Sequence, residues 1–204
     1  MEAVKKAIGM GLHCMNIPEK YGGMGLTARM MTVIREEFGK VDAGFSVTMA
    51  NNCLGSTPTM VFGTEAQKQK LADVVVPGGF SPFCLTEPGA GSDAASMRST
   101  AVRKGDEYVL NGRKCFITNG ALGGIYTVFA YTDRDKGSKG GISCFLVERD
   151  RPGVSIGKHE NKMGLRTSVT CDVVFEDVVI PASNRIGEEG EGFRIAMKTL
   201  ERSR

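Results

Sequence analysis

The spacing of apolar residues changes near residue 81, and that change restricts the fold more than any other property of this 204-residue chain. Before it the spacing is helical. Residues 3–15 place Val4, Ala7, Ile8 and Leu12 on one face, and the run ends at Asn16-Ile17-Pro18, where proline drives its predecessor out of helix. After a glycine-rich loop from Tyr21 to Leu26, Thr27 caps a second helix carrying Met30, Met31, Ile34 and Phe38, which Gly39 is expected to stop. Asp42 caps a third, and Thr64 with Gln67 has the capping-box spacing for a fourth running through Leu71 towards Pro77-Gly78.

Beyond residue 81 short β-branched and aromatic runs alternate with turn residues. Residues 100–103, 108–110, 113–118, 125–131, 142–148, 154–157 and 169–180 are strand-like, with Lys104-Gly105-Asp106 and Asn111-Gly112 as hairpin turns. Helical spacing returns at Gly192, with Phe193, Ala196, Met197 and Leu200 on one face, and no stop signal precedes Arg204. The expected class is α+β: an all-α region over 1–80, an antiparallel barrel or sandwich over 81–183, and the start of a further helix over 184–204.

Charge and composition exclude several functions. Lys and Arg total 26 against 23 Asp and Glu, a net charge of +3, and the densest basic spots, Lys5-Lys6, Arg113-Lys114 and Arg149 to Arg151, lack interleaved aromatics. They read as solvated faces, and no nucleic-acid platform is expected. Cys14, Cys53, Cys84, Cys115, Cys144 and Cys171 are tens of residues apart, too far for a metal or redox clip, and read as reduced, half-buried small hydrophobes. His13 and His159 stand away from any acidic or cysteine cluster, so no metal is expected. No membrane-spanning run or signal-peptide core is present, which makes an intracellular protein the expectation.

Two segments carry chemistry. In Leu85-Thr86-Glu87-Pro88-Gly89-Ala90-Gly91-Ser92-Asp93, two glycines one residue apart let backbone N–H groups turn towards an anion, with the Thr86 and Ser92 hydroxyls beside them. Gly89 to Ala94 also fits G-x-G-x-x-A, but strand and hairpin follow in place of the long helix a dinucleotide fold requires. As loop chemistry alone, a plain turn reads equally well. In Lys114-Cys115-Phe116-Ile117-Thr118-Asn119-Gly120, period-two alternation puts Phe116 and Thr118 on one side of a strand, an aromatic face beside a hydroxyl; a core Phe next to a capping Thr is the other reading.

Together with Ile17-Pro18-Glu19-Lys20-Tyr21-Gly22-Gly23, Asn111-Gly112-x-Lys114, Met163-Gly164-Leu165-Arg166-x-Ser168 and Phe175-Glu176-Asp177-Val178, these segments closely resemble the acyl-CoA dehydrogenase family over nearly the whole chain. The resemblance implies a helical N-terminal domain, a β-barrel middle domain and a helical C-terminal bundle enclosing FAD and an acyl-CoA thioester. It implies that Phe83, Cys84, Leu85, Thr86, Gly89, Gly91 and Ser92 wrap the flavin, with Thr86 near its pyrimidine edge and Ser92 near phosphate or the CoA moiety. Phe116, Ile117 and Thr118 would line the isoalloxazine, the Thr118 hydroxyl towards N5, and Phe116 stands where many members carry Trp.

The implied reaction removes the thioester α-proton with a carboxylate while the β-hydrogen leaves as hydride to the flavin. The family's base is a C-terminal Glu, expected beyond Arg204. Among the carboxylates present, Glu201 reads as a solvated helix residue, Glu87 as a brace for its loop, and Glu188, Glu189 and Glu191 as an exposed acidic turn. The implied partners are an acyl-CoA, electron-transferring flavoprotein and further copies of the chain in a dimer or tetramer; the implied location is the cytoplasm, or the mitochondrial matrix in a eukaryote. Alternatives on the same scaffold are an acyl-CoA oxidase, an enoyl-CoA reductase or a non-catalytic FAD/acyl-CoA-binding module.

Overall fold

Capping sets the helical region. In the computed structural model, which describes residues 2–203, α1 (Glu2–Gly9) is followed by a turn-rich segment, α2 (Ala28–Val41), α3 (Ala43–Phe62) and α4 (Glu65–Val75). Thr27 accepts from the Met30 amide, Asp42 from the Phe45 amide, and Thr64 with Gln67 forms a complete capping box. Two boundaries differ from the sequence expectation. α1 stops at Gly9, because the chain turns through Gly11 at φ +75°, and α2 passes Gly39 to reach Val41, where Asp42 ends one helix and caps the next.

The remainder is one eight-stranded, mostly antiparallel sheet: β1 (Phe83–Cys84), β2 (Thr100–Lys104), β3 (Glu107–Thr118), β4 (Ile125–Tyr131), β5 (Ile142–Glu148), β6 (Val154–His159), β7 (Thr170–Pro181) and β8 (Arg185–Ile186). The order is β6-β7-β3-β2-β4-β5-β8, with β1 parallel to β4. One-turn helix α5 (Ser138–Gly141) precedes β5, and α6 (Gly192–Ser203) closes the described chain. The expected break at Asn111-Gly112 is absent. β3 runs straight through it with a register shift, and Asn111 pairs with Asp177 of β7 through two hydrogen bonds of 2.8–2.9 Å. Glycine is required at 112 because a Cβ there would overlap the Ser99 hydroxyl.

β4 shows why the sheet has two cores. All seven of its residues are buried. Alternation sends Ile125, Phe129 and Tyr131 towards the helices, where they pack with Leu71 and Val75 of α4 and Ile195 of α6. It sends Tyr126, Val128 and Ala130 to the opposite face, against Tyr108, Phe145 and Phe175. β5 divides in the same way, with Cys144 and Leu146 on the helical side and Phe145 and Val147 on the other. The six cysteines are free and buried, deeper than the half-burial expected of them. Among the described residues no group of His, Cys, Asp or Glu is placed to hold a metal, and no helix is long and apolar enough to cross a membrane.

Candidate functional site

The loop after β1 and the end of β3 lie side by side, and a buried ion pair fastens them. Lys114 of β3 is fully buried, which overturns its reading as part of a solvated basic face. Its Nζ donates to Glu87 Oε1 at 2.7 Å and to the Leu85 carbonyl at 3.3 Å. Glu87 also accepts from the Ser99 hydroxyl at 2.5 Å, the Ser99 amide at 3.1 Å and the Arg98 amide at 2.6 Å. The Cys115 amide adds a 2.9 Å bond to the Thr86 carbonyl. Glu87 is therefore the brace that its position in the loop suggested.

Burial alone would raise the Glu87 carboxyl, but the Lys114 charge and the converging donors hold it below the ordinary carboxylate range. Burial pulls the Lys114 ammonium down, and Glu87 opposes that fall. With its oxygens committed, Glu87 is structural and not poised to take a proton.

The structure sorts the sequence-derived site residues into two sets. Cys84 and Ile117 turn into the sheet core and Leu85 into the helical core, while Phe83 is half-buried and packs at a tilt against Phe129, 5.0 Å between ring centroids. Their side chains hold the segments in place. Thr86, Ser92, Phe116 and Thr118 keep outward access, and among the described residues none of the three hydroxyls has a partner in the chain. A Cβ added to Gly89 or Gly91 would meet nothing within 4 Å, so the loop faces open space. Its turn is pinned by reciprocal bonds between Glu87 and Ala90 of 3.0–3.1 Å.

Phe116 sits in a bulge that simple alternation does not show. Between Lys114 and Ile117 β3 holds one residue more than β7, and Phe116 takes φ +56°. Its ring is 62% exposed, Ile117 beside it is buried, and Thr118 is half-buried, so outward presentation survives past the bulge. α3 supports this edge from behind. Asn51 donates to the Thr118 carbonyl at 3.1 Å and Asn119 to the Thr48 carbonyl at 2.8 Å. The sequence held no signal for these helix contacts.

The acidic segment before α6 is likewise not free. Tyr108 bonds Glu189, Arg185 joins both Glu188 and Glu189, and Glu191 accepts from the Glu188 amide at 3.0 Å. Glu201 is exposed and, among the described residues, pairs with Lys198.

The chain matches two family models, acyl-CoA dehydrogenase, N-terminal domain, over residues 1–78 and acyl-CoA dehydrogenase, middle domain, over residues 82–178. It is 44% identical to a short-chain-specific acyl-CoA dehydrogenase of Megasphaera elsdenii over 211 residues, covering 100% of this chain and 54% of that protein. Butyryl-CoA dehydrogenase from Megasphaera elsdenii superposes with a TM-score of 0.91 at 42% identity, over 99% of this chain and 54% of that one. A chain solved in work on the electron transferring flavoprotein of Acidaminococcus fermentans gives 0.94 at 46%, over 99% and 53%. This chain thus spans about half the length of the relatives it matches.

Proposed function

This chain belongs to the acyl-CoA dehydrogenase family, and we propose that it forms the flavin-binding half of an FAD-dependent enzyme that desaturates a short acyl-CoA thioester between Cα and Cβ. One observation carries the reading: the Glu87–Lys114 pair brings an open glycine loop and an outward aromatic edge together. That surface fits FAD chemically. The open loop at Gly89, Gly91 and Ser92 suits a pyrophosphate, the Phe116 ring offers a flat contact, and the Thr86 and Thr118 hydroxyls supply donors for the polar edges of a ring system. Phe83, Cys84, Leu85 and Ile117 take part as the packed supports of these groups.

Bound there, FAD supplies the hydride acceptor. The chain's own residues orient the ring, donate to it and keep water from the face backed by α3. Ser92 is assigned a second role, towards a phosphate of the thioester. The proton acceptor comes from another part of the whole protein, since Glu87 is spent on Lys114 and Ser99. We assign residues 1–80, 81–183 and 184–204 to the helical, flavin-binding and following helical units. The names of the relatives support a short-chain acyl-CoA as substrate and electron-transferring flavoprotein as acceptor. We place the whole protein as a dimer or tetramer in the cytoplasm, or in the mitochondrial matrix of a eukaryote; six free cysteines fit a reducing compartment.

Titration of the chain with FAD, followed by flavin absorbance and fluorescence, tests the site. The expected result is stoichiometric binding that Thr118→Ala and Ser92→Ala each weaken by about tenfold, the equivalent of ~1.4 kcal/mol. Equal affinity in wild type and both variants would remove the site assignment. For the whole protein, butyryl-CoA oxidation that depends on electron-transferring flavoprotein is expected, whereas oxygen consumption in its place would move the reading to an oxidase.

A further inference from the structure

Between β6 and β7 the chain leaves at His159 and returns at Thr170, and this excursion surrounds a cavity of about 250 Å³. The Glu160 amide donates to the Thr170 carbonyl at 2.9 Å and closes its base. Lys162 and Arg166 line it, and among the described residues neither has an ion-pair partner. The one carboxylate on the wall, Glu160, is already held by Lys158 at 3.0 Å. The cavity therefore carries two uncompensated cations.

Neutral oxygens fix both cations in place. Lys162 Nζ donates to the Ser168 carbonyl at 2.6 Å and to Thr170 Oγ1 at 3.0 Å, and Arg166 Nε donates to the Lys162 carbonyl at 2.9 Å. Among the described residues the outer N–H groups of the Arg166 guanidinium have no partner. Ser168, on the same wall, is 2% exposed, and among the described residues its hydroxyl has no partner. A buried hydroxyl left unpaired is uncommon in a folded chain. A guanidinium fork, an ammonium and a hydroxyl lining one cavity offer more donors than the two oxygens of a carboxylate require, and suit the several oxygens of a phosphate dianion.

We propose that this cavity, which adjoins the candidate flavin edge where Thr170 pairs with Thr118, is a binding site for a phosphate group. The test is a titration of the chain at constant ionic strength in sodium chloride with inorganic phosphate and, separately, with adenosine monophosphate, read by amide chemical shifts. Saturable shifts over residues 159–170, weakened at least tenfold in Arg166→Gln and also weakened in Ser168→Ala, are expected, with Lys104→Gln unchanged. Equal affinities for the two probes would identify free phosphate as the source of the group; tighter nucleotide binding would identify a phosphate carried on a nucleotide. Absence of saturable shifts in this segment with both probes, or full affinity in Arg166→Gln, would overturn the site. A chain that passes this test and fails to bind FAD keeps the phosphate site and loses only the flavin reading.

Discussion

Lys114 shows how one residue is decided by its surroundings. An ammonium with no solvent exposure persists because Glu87, the Leu85 carbonyl and a network through Ser99 replace its water. Lys114→Met leaves the Glu87 carboxylate buried and unpaired, for which a loss of about 3–5 kcal/mol is expected. Urea denaturation checks this. Adding Glu87→Gln to the same chain should restore part of the loss, because the stranded charge is then gone; no recovery would show that Glu87 draws its support from elsewhere. In the sequence Lys114 looks like its exposed neighbour Arg113. Nothing local distinguishes them, since the burial of one and the exposure of the other follow from the direction β3 takes past the loop after β1.

At the scale of elements, helix starts are legible and helix contacts are not. Thr27, Asp42 and Thr64 act as caps because a side-chain oxygen three residues ahead of a free amide is a local geometry. The docking of α3 onto the strands depends instead on Gly55, where a Cβ would overlap the Ser81 carbonyl oxygen. Beside it Asn52 accepts from the Ser81 amide at 2.6 Å, and Thr127 of β4 donates to the Gly55 carbonyl at 2.7 Å. Gly55→Ala is expected to push the helix off this seat, with a loss of about 1–3 kcal/mol from overpacking. Because Asn51 and Thr48 of the same helix hold the strand end at Thr118 and Asn119, FAD affinity should fall with it. Calorimetric unfolding and the flavin titration on one sample check both; lost stability with unchanged flavin affinity would separate α3 from the site. Asn111-Gly112 fails as a hairpin signal for a related reason. The same dipeptide serves a close approach between strands when the partner is Asp177 and the neighbour is Ser99.

Across the whole molecule, α4 is tied to the sheet through charge as well as packing. Lys70 pairs with Glu148 of β5, which also meets Arg151 and Asn184, while Gln67 donates to the Ser183 and Arg185 carbonyls at 2.7 Å. Burial raises the Glu148 carboxyl, but the bonds from Arg151 and Lys70 outweigh it and bring the value down to about 2. A carboxyl whose folded pKa lies below its unfolded one contributes stability that is complete above the unfolded value. That contribution is lost as pH falls from about 4.5 to about 2. Allowing for partial hydration, about 1–2 kcal/mol should disappear across that window, and Glu148→Gln should flatten this part of the stability–pH curve. An unchanged slope in the variant would assign the acid sensitivity to other carboxylates, Glu87 first among them.

The sequence by itself determined the succession of helix, sheet and helix, the caps, the hairpin at Gly105 and the two segments that meet at the candidate site. Each rests on interactions spanning a few residues or on a repeating polarity. Only the tertiary structure decided that Lys114 is buried, that Phe116 sits in a bulge, that Cys84, Leu85 and Ile117 turn inward and that the acidic turn before α6 is fastened to Tyr108. Those outcomes depend on which distant strand or helix supplies the opposing atom, and burial and bond geometry at such contacts exist only once the chain has closed on itself.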